Sequence, residues 1–84
     1  MNTSTELKRL RLQRTLTEIK IEGVRSVLRT LERAIAYAEA VGDPGDYISE
    51  ITEEKRRASK EIEHLESCLD NVEDRIFEQE GAVS

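Results

Sequence analysis

Apolar residues recur along this chain at spacings of three and four. Between residues 48 and 76 they fall at Ile48, Ile51, Ala58, Ile62, Leu65, Leu69, Val72 and Ile76, and only Lys55 interrupts the series. An α-helix turns once every 3.6 residues or so, and a heptad series of this kind forms the narrow seam of a coiled coil. An earlier series runs Leu7, Leu10, Arg14, Thr17, Ile21, Val24, Leu28, Leu31, Ile35 and Ala38, with the polar pair Arg14 and Thr17 as consecutive members. Two long amphipathic helices are predicted: α1 over about 4–41 and α2 over about 44–80, with a flexible tail at 81–84.

Between them stands Gly42-Asp43-Pro44-Gly45-Asp46, which holds the only proline of the chain. Gly42 suits the left-handed backbone that ends a helix. Asp43 can cap α2, and Pro44 fits a first turn, where a missing N–H costs nothing. A turn confined to 42–46 makes the two helices antiparallel neighbours. The expected fold is all-α: one domain over 1–84, an antiparallel, coiled-coil-like helical hairpin. Thr3-Ser4-Thr5-Glu6 reads as a capping box at the start of α1. Thr15-Leu16-Thr17-Glu18 reads as a second box where the seam falters. Either α1 is continuous, or a short separate N-terminal helix ends at a bend near residues 13–15.

Composition says what this hairpin lacks. Of 84 residues 37% are hydrophobic, with no Trp, one Phe and two Tyr. A small chain with so little bulk buries little apolar surface, so completion by self-association or by a partner is expected. Charge is divided between the halves. Residues 1–42 carry eight Lys/Arg against five Glu, net +3, and residues 43–84 carry five against thirteen, net −8. Folding back sets opposite signs side by side, with Arg11 and Arg14 expected near the acidic end of α2 (Glu73, Asp74, Glu78, Glu80).

Candidate chemistry is sparse. The one histidine, His64, falls on the outer side of α2, and the one cysteine, Cys68, flanks its seam. A single cysteine can form neither an internal disulfide nor a cysteine-only metal site. The carboxylates form a solvated face, with no cavity in which a pKa could be raised. The loop 43–50 lacks the ligand spacing of a calcium loop. No enzyme activity, cofactor or metal is expected. Met-Asn-Thr-Ser-Thr-Glu has no apolar run resembling a signal peptide and no stretch is long enough to span a membrane, so a cytoplasmic protein is expected. The basic run Lys8, Arg9, Arg11, Arg14 contains no aromatic residue and belongs to an acidic chain, which disfavours nucleic-acid binding.

The informative feature is a second apolar set off the seam of α1. Leu12, Leu16 and Ile19 follow one another at spacings of four and three, and Val27, Ala34 and Val41 run along one edge. Phe77 is off the α2 seam near the same end. A lone hairpin cannot cover two stripes on one helix. Leu12, Leu16, Ile19, Val27 and Phe77 are therefore the expected partner-binding residues. The function read from them is a non-catalytic interaction module, a small chaperone, adaptor or inhibitor, that packs against an apolar helix of a partner. Inhibitors of phage type fall in the same class. The rival reading is a structural homo-oligomer in which hairpins pair into a helical bundle.

The segment Thr3–Leu10 and the turn Pro44-Gly45-Asp46-Tyr47 resemble the small helical-hairpin co-chaperones of type III secretion systems. That resemblance implies a partner of needle-subunit type kept soluble before export. Helical-hairpin phosphatases of sporulation control use a Ser-Gln-Glu-Leu-Asp motif. The segment Ser59-Lys60-Glu61-Ile62-Glu63 lacks it, so that activity is not expected.

Overall fold

The computed structural model describes residues 3–42 and 45–83. It contains two helices, α1 (Thr3–Ala40) and α2 (Asp46–Val83), each of 38 residues, and no strand among the described residues. At about 1.5 Å per residue each helix is about 57 Å long. The molecule measures 61 × 17 × 14 Å, which is the size of one helix pair lying side by side.

Every heptad position that the sequence assigns to the seam is buried or half-buried. Burial is deepest away from the turn, where Leu7 and Leu10 of α1 meet Val72 and Ile76 of α2. The middle of the seam is shallower: Val24, Leu28, Leu31 and Ile35 of α1 and Ile62 and Leu65 of α2 are only half-buried, and the buried side chain among them is the small Ala58. Two helices bury only one stripe each, so water reaches the seam from both edges. The free ends are held by side chains and the other end by the chain itself.

The bend near residues 13–15 does not occur, and α1 runs unbroken. The hydroxyls that suggested a cap turn backwards. Thr15 Oγ1 donates to the Arg11 carbonyl at 3.1 Å and Thr17 Oγ1 to the Gln13 carbonyl at 2.9 Å. This i−4 bonding leaves the main-chain ladder intact. It also lets buried Thr17 occupy the seam with its hydroxyl satisfied. The expected box at Thr3 rests on a side chain outside the described ones; Glu6 instead binds Arg9 at 3.0 Å and Arg75 at 3.7 Å.

At the turn, Gly42 has φ +77°, as its role at the end of α1 requires, and its N–H donates to the Glu39 carbonyl at 3.2 Å. Gly45, not singled out by sequence, has φ +109° and accepts the first bond of α2 from Ser49 N–H at 2.9 Å. The helix thus starts two residues later than expected. The roles assigned to Asp43 and Pro44 lie outside the described residues. At the other end α2 continues through Gly81 to Val83, so the expected flexible tail at 81–84 is corrected to helix as far as Val83. One glycine costs about 1 kcal/mol, which the continuing ladder absorbs.

Because an added Cβ meets no atom at either turn glycine, only backbone strain opposes substitution there. Gly42→Val and Gly45→Val are each expected to cost about 1–3 kcal/mol. Inserting four flexible residues between positions 43 and 44 should cost about 0.6 kcal/mol, since loop entropy grows slowly with length. Urea melts of the three variants check the order; an insertion more damaging than either valine would refute this turn.

Candidate interaction face

The five residues expected to bind a partner are all on the surface: Leu12 is 59% exposed, Leu16 50%, Ile19 62%, Val27 52% and Phe77 81%. Four belong together. With helix α1 unbroken, positions 12, 16, 19, 23, 27, 30, 34, 37 and 41 follow one another along one side of it, stepping by about 3.6 residues. They are Leu, Leu, Ile, Gly, Val, Thr, Ala, Tyr and Val. Tyr37 and Val41 are exposed too, at 71% and 62%. The one hydroxyl in the interior of the line, on Thr30, donates to the Ser26 carbonyl at 3.1 Å, so it leaves no unmet donor there.

Sequence reading in heptads missed the length of this stripe. A line of period 3.6 drifts against a seam of period 3.5, by about 20° per heptad. It begins on the back of α1 at Leu12 and reaches the edge beside α2 at Val41. There it meets Tyr47 and Ile51 of α2, and with Ala34, Tyr37 and Ala38 these surround an apolar hollow of about 520 Å³. Phe77 does not join the stripe. The hollow beside Leu12 and Leu16 is walled on the α2 side by Arg75, and Phe77 has no part in it.

The charges have a pattern as well. Residues one turn from the stripe, at i±3 or i±4, include Lys8, Arg9, Lys20 and Arg33, and a single carboxylate, Glu22. Glu22 is occupied by Arg29 at 3.5 Å, and Arg9 by Glu6 at 3.0 Å. Lys8, Lys20 and Arg33 make no ion pair among the described residues. The expected neutralisation of the basic start by the acidic end of α2 is absent as direct contact. Arg14 turns to Glu18 of its own helix at 4.0 Å, and the contact between the helices there is the reverse one, Arg75 of α2 to Glu6 of α1. Backbones that run side by side do not bring these particular side chains within reach.

Other ion pairs between the helices are Arg25–Glu66 at 3.3 Å and Lys55–Glu32 at 3.7 Å, both exposed and worth about 0–1 kcal/mol each. On α2, Arg56 Nε donates to Glu53 Oε2 at 3.0 Å, and that hydrogen bond holds the Glu53 carboxyl below its ordinary range.

His64 and Cys68, one turn apart on α2, stand 3.7 Å apart through Nε2 and Sγ. His64 is exposed and Cys68 half-buried, and neither lines a hollow described above. Among the described residues no group of three His, Cys, Asp or Glu could hold a metal ion, and no helix is long and apolar enough to cross a membrane. Comparison of the chain with known protein families, with curated proteins and with solved structures finds no match.

Proposed function

We propose that this chain is a non-catalytic helical interaction protein, a small chaperone, adaptor or inhibitor, which lays the outer stripe of α1 against an apolar helix of another protein. The observation that carries this reading is the exposure of Leu12, Leu16, Ile19, Val27, Tyr37 and Val41 along one line of one helix. A Leu or Ile left in water forfeits about 1.5–3 kcal/mol relative to full burial, and the hairpin offers nothing to cover these six. A helix laid along the line would recover much of that energy. A cytoplasmic setting agrees with a chain that has one free cysteine.

A second reading is a bundle of two hairpins, favoured by the half-open middle of the seam. The resemblance to type III co-chaperones would make the covered helix that of a needle-type subunit.

The test is capture from a cell lysate with the wild-type chain and with Leu16→Asp, each first checked for helicity by circular dichroism. Leu16→Asp is expected to remain helical and to lose, by about a hundred-fold, a protein that the wild type retains. An unchanged set of captured proteins, or an unfolded Leu16→Asp chain, would remove the basis of the reading.

A further inference from the structure

We infer that the occupant of this face is one amphipathic helix of a different protein, about 30 residues long, whose apolar stripe has a 3.6-residue period and is bordered by carboxylates. The inference rests on the interaction reading above and specifies the partner's chemistry.

Length and period come from the stripe itself. From Leu12 to Val41 it covers about 43 Å of helix axis. Its steps of four and three average about 3.6 residues, so it stays on one side of a straight helix. A partner with a strict heptad seam would part from it within a few turns. A partner with the same period lies along its whole length.

The charge of the border comes from Lys8, Lys20 and Arg33. These cations flank the stripe, are exposed, and have no ion-pair partner among the described residues. Docking a helix brings its flanking residues close to them, where solvent is reduced and charges act more strongly. Carboxylates in those positions are attracted and cations repelled.

The same pattern disfavours a second copy of this chain. Pairing stripe to stripe with a second copy, in either direction, sets a border of Lys8, Arg9, Lys20 and Arg33, with the single carboxylate Glu22, against an identical border. The outer side of α2 does carry carboxylates, but its exposed large apolar residues are Tyr47 and Phe77, at opposite ends of the helix. Another copy offers either an apolar stripe or an acidic border, and not both on one face.

The experiment uses the full chain and two synthetic helical peptides of about 30 residues. Both carry the same Leu/Ile/Ala stripe at 4-3-4 spacing; one is bordered by Glu, the other by Lys. Binding is read by fluorescence anisotropy, and light scattering of the chain alone reports self-association. The Glu-bordered peptide is expected to bind about ten-fold or more tighter than the Lys-bordered one, with the advantage shrinking at about 0.5 M NaCl. The double variant Lys20→Glu/Arg33→Glu is expected to reverse the preference, and the chain alone to be monomeric. Equal binding of both peptides, stronger binding of the Lys-bordered one, or binding of neither overturns the inference. So does a dimer of the chain that Leu16→Asp dissociates. If both peptides bind equally and a folded Leu16→Asp chain binds neither, the acidic border is wrong and the interaction face stands. If Leu16→Asp unfolds the chain, the interaction reading itself has failed.

Discussion

Leu10→Asp is expected to open the rod from its free end and abolish most of its helical signal, while Leu12→Asp, two residues on, leaves helicity almost unchanged. Leu10 is 2% exposed and packs with Leu7, Val72 and Ile76; Leu12 is 59% exposed. A carboxylate at position 10 has no partner in that cluster, and burying an unpaired charge costs several kcal/mol. A domain of this size with so small a core has about 5 kcal/mol to lose. Once the free ends separate, each helix depends on propensity alone, and isolated helices are marginal in water. Even Leu10→Ala should cost about 2–4 kcal/mol. Thermal melts followed by circular dichroism compare the three variants. The same change at Leu28 should be milder than at Leu10, because that side chain is half-exposed and a carboxylate there can reach water. A Leu28→Asp chain as unstable as Leu10→Asp would mean that something outside the hairpin seals the middle of the seam.

The seam was readable because side-chain direction follows position in a helix, so spacing alone assigns a face. The turn was readable at Gly42 for a similar reason: a left-handed residue between two helices calls for glycine. Gly45 gave no such signal, since Asp43 as a cap and Pro44 in a first turn both suggested an earlier helix start. The supposed break near residues 13–15 shows where local motifs run out. Thr15 and Thr17 have the same hydroxyl whether it caps forward or bonds backward to the i−4 carbonyl. Longer-range order selects the outcome. Only an unbroken helix keeps Leu7 and Leu10 on the same face as Ile21 and Val24, and Leu7 and Leu10 form the deepest part of the core. Ion pairs were the least legible. Sequence gives the sign of each half, but the choice of Arg75–Glu6 over any pair from Lys8, Arg11 or Arg14 to α2 depends on side-chain reach.

The outer face was legible in part, and its missing part has a geometric cause. In a heptad frame Leu12, Leu16 and Ile19 appear as a short patch, and Val27, Ala34 and Val41 as a separate edge. Tyr37 then belongs to neither. In a frame of 3.6 residues the same positions join into one line with Tyr37 on it. Phe77 was grouped with Leu12 because it is off-seam and near the same end. Being near the same end does not fix direction around the axis, and Arg75 occupies the side of α2 that borders Leu12 and Leu16.

The polar residues of the seam lead to the remaining large effect, one of gain. Arg14 and Lys55 hold positions that every helical consideration would give to Leu, and both are half-exposed. Their ion pairs, Arg14 with Glu18 at 4.0 Å and Lys55 with Glu32 at 3.7 Å, are too exposed to be worth more than about 1 kcal/mol each. A leucine at either position would bury about half its surface against the opposite helix, worth about 1–1.5 kcal/mol. Arg14→Leu/Lys55→Leu is therefore expected to gain about 2 kcal/mol and to raise Tm by about 10 °C, at some 4–8 °C per kcal/mol for a domain of this size. Thr17→Val serves as the comparison. Its hydroxyl is already satisfied by the Gln13 carbonyl, so exchange for an isosteric methyl should change stability by no more than about 1 kcal/mol. The gain has a consequence for assembly. Polar residues at seam positions lower stability and restrict which helices pair, and in which register. With both removed, the half-open seam becomes an apolar strip interrupted only by Thr17, whose hydroxyl is bonded to its own helix, and light scattering should find the double variant associating with itself at concentrations where the wild type does not. A double variant that melts no higher than wild type would mean that Arg14 and Lys55 contribute packing through their aliphatic stems that leucine cannot replace.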